Sequence, residues 1–155
     1  MRKDQIKSAN TLSRGLFMFG SDITAKPTVE ELAAYYEFLN SSTSVLNEFG
    51  IHIGTNGYSY LIEALKIIID RERYDVRMKT DVYLLIAVKH GLKRYDPVEH
   101  SIRNAINTAY EDQLKQPGCN SMELFPKKPT NKQFIIYAAD EVFKKLCVNK
   151  LDSLS

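Results

Sequence analysis

Apolar residues recur at helical spacing along most of this chain, and the breaks between them carry start and stop signals for helices. The clearest segment is Val82 to Tyr110, VYLLIAVKHGLKRYDPVEHSIRNAINTAY. It reads as an apolar helix, a short basic turn and a second helix. In the second helix Val98, Ile102, Ala105, Ile106 and Ala109 form one stripe for burial. Glu99, His100, Arg103, Asn104 and Asn107 lie away from that stripe. Asp96 is the expected N-cap and Pro97 the expected first helical residue, where a missing N–H removes no intrahelical bond.

Three further helices follow from the same kind of pattern. Thr28-Val29-Glu30-Glu31 is a capping box, so a helix should begin there with Leu32, Tyr35, Tyr36 and Leu39 inward. Polar Asn40 to Ser44 is expected to interrupt it, and Val45, Leu46 and Phe49 resume the apolar face up to a stop at Gly50. GIHIGTNGY reads as a loop, followed by a helix over about Tyr58 to Asp70 whose wide apolar girth predicts a central place in the core. The first helix of the 82–110 pair should end at His90-Gly91. Thr130 and Gln133 form a second capping box, opening a last helix that buries Phe134, Ile135, Ala138, Val142 and Leu146. Strand signals are scarce. The expectation is an all-α fold of about six helices with a central helix-turn-helix, of winged-helix-like or response-regulator effector type. Residues 28–148 would form the domain, 149–155 a frayed tail and 1–27 an arm, in which LFMF (Leu16 to Phe19) reads as a short strand or a packed segment.

A length of 155 residues with 44% hydrophobic content suits a single domain with a real core. The formal net charge of +2 removes any argument from overall basicity, but an electrostatic footprint is local rather than summed. Two cysteines without a CxxC spacing argue for a reduced, cytoplasmic chain rather than a disulfide scaffold. No segment has the length and apolarity of a signal peptide or a membrane span.

Five blocks then carry a family resemblance: STSVLNEFGI, GYSYLIEAL, TDVYLLIA, VEHSIRNAINTAY and KPTNKQFI, in that order. The region from about Thr43 to Val142 resembles the DNA-binding effector domain of the stage-zero sporulation response regulator. The resemblance implies a six-helix domain that binds a short promoter box, often as tandem dimers, with the Pro97–Tyr110 helix in the major groove. It also implies base reading at Glu99 and His100, with Arg103 matching a family arginine one turn on. His100 stands where the family usually carries arginine, so a weaker single contact replaces a bidentate one to guanine. The residues ahead of the match show no acidic phosphoacceptor pocket, so control by a receiver domain is not expected. The His90–Asp96 turn is one residue longer than usual, and the connection from Glu111 to Lys128 is shorter.

From the residues themselves, Arg103, Asn104 and Asn107 are base-edge donors of the right type, and Glu99 can accept from a cytosine amino group. Lys79, Lys93, Arg94, Lys127, Lys128 and Lys132 are candidates for phosphate contact. Asn131 and the N–H groups after Thr130 add a helix-terminus contribution. The bland alternative for Arg103 is an ion pair with Glu99 one turn back. No nucleophile–base pair, paired carboxylates or metal spacing is found. No catalytic residue, metal or cofactor is therefore expected, and the expected partner is double-stranded promoter DNA, bound as a homodimer, with either a related regulator or RNA polymerase as a further contact. The rival reading is a protein-interaction module that pairs with or sequesters a related regulator.

Overall fold

The computed structural model describes residues 25–72 and 75–154, and all of them lie in helices, turns and loops. The order is α1 (Val29–Glu48), α2 (Asn56–Arg71), a π-helical turn (Met78–Tyr83) running directly into α3 (Leu84–Lys89), α4 (Asp96–Lys115), a 3₁₀ turn (Ser121–Leu124) and α5 (Asn131–Leu154). The fold is all-α, with five α-helices among the described residues against the six or so expected. No strand forms among the described residues, so the form without a β-wing is the one observed there. The LFMF segment lies outside the described residues. None of the described helices is long and apolar enough to cross a membrane.

The chain divides into two compact units, Met1–Glu37 and Phe38–Ser155. In the first unit the Thr28 capping box forms as expected: Thr28 N–H donates to Glu31 Oε2 at 3.0 Å and Glu31 N–H to Thr28 Oγ1 at 3.1 Å. Tyr36 is not inward; it is 61% exposed, its ring tilted against Tyr35 at 6.2 Å between centroids.

In the second unit α2 is central, packing against α4 and α5 through Leu61, Ala64, Leu65 and Ile68, all buried. Asn40 to Ser44 does not interrupt α1. Ser41 and Ser42 are small enough to be buried on the core side, and Thr43 Oγ1 returns its hydrogen to the Asn40 carbonyl at 3.1 Å. The helix ends at Glu48 and is closed by Gly50, whose φ of +76° suits glycine. Gly50 N–H reaches the Asn47 carbonyl and Ile51 N–H the Leu46 carbonyl, both at 3.0 Å, which is a Schellman closure. Gly91 repeats it after α3: its N–H meets the Val88 carbonyl at 3.1 Å, and Leu92 N–H meets Ala87 at 2.8 Å.

Helix α2 begins two residues earlier than Tyr58, because Thr55 caps it and accepts the Tyr58 N–H at 3.1 Å. Helix α5 runs through Leu154, beyond the expected fraying point at Val148, since no glycine or proline interrupts residues 131–154.

Candidate nucleic-acid interface

Helix α4 is anchored by burial. Val98, Ile102 and Ala109 are fully buried and Ile106 nearly so. Each of the three large side chains contributes about 1.5–3 kcal/mol, so their sum far exceeds any surface pairing and fixes which side of α4 faces out. That outer side carries His100 and Asn104, both exposed, and half-buried Asn107. Glu99 and Arg103 lie towards its flank and pair with each other, Arg103 Nη2 to Glu99 Oε2 at 3.2 Å. Exposed pairs of this spacing are worth only about 0.3–0.5 kcal/mol, a small obstacle to Arg103 swinging towards a ligand.

The start of α4 differs from expectation in one respect. Tyr95 occupies the N-cap position with no side-chain bond, and Asp96 is the first helical residue, which moves Pro97 one position in. The Asp96 carboxylate is taken instead by Arg94, Nε to Oδ2 at 2.7 Å. That bond is the main reason the Asp96 pKa is lowered and the Arg94 pKa raised. Arg94 is thus committed within the turn, whereas Lys93 beside it is exposed.

Around the first turn of α4 three other elements converge. Tyr83, at the junction of the π turn and α3, stacks on Tyr95 with centroids 6.3 Å apart and planes at 12°. Lys79 sits over the Tyr95 ring at 5.7 Å. Asn131, the first residue of α5, donates from Nδ2 to Tyr83 Oη and to the Glu99 carbonyl, both at 3.1 Å. Both amide hydrogens are thereby used, so the Asn131 side chain has none left for a phosphate. Burial is the main influence on Tyr83 and raises its pKa, keeping the hydroxyl neutral.

Lys132 is exposed in the first turn of α5. The Thr130 capping box there is complete, Thr130 N–H to Gln133 Oε1 at 3.0 Å and Gln133 N–H to Thr130 Oγ1 at 3.1 Å. Exposed Lys127 and Lys128 lie in the preceding loop. Phe125 holds that loop down, packing against Phe49, Phe134 and Tyr137 with centroids 6.0, 6.4 and 5.3 Å away. On the other flank of α4 an open groove of about 220 Å³ separates it from the start of α2. His52, Thr55 and Asn56 line one wall and Ser101, Asn104 and Thr108 the other. At its floor α2 and α4 come close enough that a Cβ on Gly57 would lie 2.4 Å from the Ser101 carbonyl oxygen.

The geometry is that of a helix-turn-helix: α3, a turn from His90 to Tyr95, and a second helix with a buried stripe and a polar outer side. Residues 42–142 match the family described as "Sporulation initiation factor Spo0A C terminal". The chain belongs to that family. The Spo0A C-terminal family is a DNA-binding effector domain of transcription regulators, a binding class and not an enzyme class. The match takes in the whole of α2, α3 and α4 and the first half of α5. Sequence reasoning missed Tyr83, Tyr95 and the Thr55 cap. Thr55 was legible as a cap residue ahead of a helix; the tyrosines carried no local signal.

Proposed function

We propose that the chain is a sequence-specific DNA-binding transcriptional regulator that lays the first turns of α4 in a major groove of promoter DNA, acting as a homodimer on its box. The observation that carries the reading is the two-sidedness of α4. Val98, Ile102, Ile106 and Ala109 are sealed inside while His100 and Asn104 stand open. Membership of the Spo0A C-terminal family supports it. In this reading Arg103 leaves Glu99 to meet a guanine edge, Asn104 addresses adenine, His100 makes one hydrogen bond, and Glu99 accepts from cytosine. Asn107, a turn further on and half-buried, lies near the sugar-phosphate backbone. Lys79, Lys93, Lys127, Lys128 and Lys132 neutralise phosphate, with Arg94 joining when Asp96 releases it.

The test is a titration of the protein against a duplex selected from a random pool, at several salt concentrations. Five phosphate contacts from each protomer, ten in the dimer, predict a log–log salt slope of about −9. Binding that is flat in salt, or equal for selected and scrambled duplexes, refutes the reading. A second reading, pairing with a related regulator without DNA, draws on the exposed apolar residues of α3: Leu84, Leu85 and Val88 are 43%, 41% and 67% exposed. No retention of any duplex at low salt would favour it.

A further inference from the structure

We infer that Asn131 is a positioning residue, a spacer that fixes the first turn of α4 against the start of α5 and so sets the offset between base-facing and phosphate-facing groups. The inference rests on the DNA-binding reading above. Its geometric basis is the pair of bonds from one amide nitrogen. Asn131 Nδ2 donates to Tyr83 Oη and to the Glu99 carbonyl, both at 3.1 Å. The Glu99 carbonyl only accepts, so the orientation of the amide is settled by its partner.

Three elements that are remote in sequence meet at this nitrogen: the entry to α3, the first turn of α4 and the first residue of α5. The base-facing candidates His100 and Arg103 follow Glu99 directly on α4. Lys132 follows Asn131 directly on α5, and Lys127 and Lys128 lead into it. A duplex presents base edges and phosphates at a fixed mutual distance. Proteins that read both gain specificity only when their own two sets of groups are held at a matching distance. Asn131 supplies that hold between the first turn of α4 and the first residue of α5. Tyr83 extends it, since its ring is stacked on Tyr95, the residue that opens α4.

The side-chain chemistry leaves little choice. Aspartate has no hydrogen to give the Glu99 carbonyl, and it would set a negative charge beside the one on Glu99. Alanine gives up both bonds. Phenylalanine at position 83 removes one bond and keeps the stacked ring.

The experiment compares Asn131→Asp, Asn131→Ala and Tyr83→Phe with the wild type in three measurements. These are affinity for the selected duplex, affinity and salt slope for a scrambled duplex, and amide hydrogen exchange along α4. For Asn131→Ala the expected result is about a tenfold loss for the selected duplex with scrambled-duplex binding and salt slope unchanged; Asn131→Asp should lose at least as much on the selected duplex and, through its added negative charge, a smaller factor on both duplexes. Exchange should quicken at Glu99 to Arg103 while the amides of α2 keep their protection. Tyr83→Phe should show the same pattern at smaller size. Equal losses on both duplexes, with a shallower salt slope, would make Asn131 a phosphate ligand and overturn the positioning role. Unchanged discrimination together with quickened exchange would reduce the bonds to a structural tie and overturn it too. A wild type that does not discriminate between duplexes sinks the DNA reading itself. That outcome is distinct, because it appears before any substitution is made.

Discussion

Replacing Gly57 by alanine sets helix propensity against packing, and packing should win. On propensity alone the change favours the helix by up to about 1 kcal/mol, less in a first turn, where Gly57 lies. The structure opposes it. A Cβ at position 57 would stand 2.4 Å from the Ser101 carbonyl oxygen, 2.7 Å from the Ala105 Cβ and 3.1 Å from the Ser101 carbonyl carbon. A comfortable C···O approach is about 3.3 Å or more, so α2 and α4 must part by close to 1 Å at this point. Neither obstacle can rotate away, since one is backbone and the other a methyl group. Overpacking of this kind costs about 1–3 kcal/mol, and a gap of 0.5–1 Å forfeits roughly a quarter to a half of each dispersion contact along the α2–α4 seam. After the propensity gain is subtracted, Gly57→Ala should destabilise by about 1–2 kcal/mol, lowering Tm by about 3–8 °C. Urea and thermal unfolding followed by far-ultraviolet circular dichroism would measure it. A variant as stable as the wild type, or more so, would show that the helices slide apart without cost and that the close approach has no structural weight.

Arg103→Ala should weaken binding to a selected duplex by about 1–3 kcal/mol and relax one base position, leaving scrambled-duplex binding nearly unchanged; an unaltered selection profile would rule out base readout by this side chain. Asn120→Ala removes a buried side chain that gives Nδ2–H to the Ala109 carbonyl at 3.1 Å and accepts the Met122 N–H on Oδ1 at 2.8 Å. It should lower unfolding free energy by about 1–3 kcal/mol in a denaturant titration, and a loss within error would mean that water replaces both bonds freely. Asp81 accepts the Arg77 N–H at 2.8 Å, and this bond is the first cause of its lowered pKa. A carboxyl depressed in the folded state contributes stability above its unfolded pKa, near 4, that disappears as the pH falls through the folded value. The stability difference between wild type and Asp81→Asn should therefore be constant from about pH 5 to 7 and shrink below about pH 4; a difference that grows on acidification contradicts the assignment.

What the sequence made legible was what neighbouring residues decide among themselves. The Thr28 and Thr130 capping boxes are spelled out within four positions, and each forms the two reciprocal bonds its spelling promises. Gly50 and Gly91 mark helix ends because only a residue content at positive φ closes those turns easily. The buried stripe of α4 follows from periodicity alone. Errors arose where two local options competed. Asp96 could cap α4 or pair with Arg94, and a charge-assisted bond to a guanidinium two residues away prevailed. Ser41 and Ser42 are polar enough to suggest an interruption, yet small enough to be buried within a continuous helix. The links from Asn131 to Tyr83 and to Glu99 span 48 and 32 residues, and no local pattern announces them. They exist only once the core has brought three helix ends together. The candidate site was thus legible as residue types on one helix, and hidden as an arrangement among several.

The π turn ahead of α3 carries a quiet allowance. Leu84 N–H closes on the Lys79 carbonyl, five residues back instead of four, so the winding there holds one amino acid more than a regular coil would. Slack of this kind is a natural place for a chain to change length. Excising a single residue such as Thr80 would let the ladder tighten to ordinary pitch while everything after Tyr83 kept its seat. The same excision within α4, wound tight from end to end, would swing every later side chain about 100° around the axis and bring the hydrophilic edge under the fold. Among kindred sequences, gaps of one should therefore gather before Tyr83 and be shunned within α4.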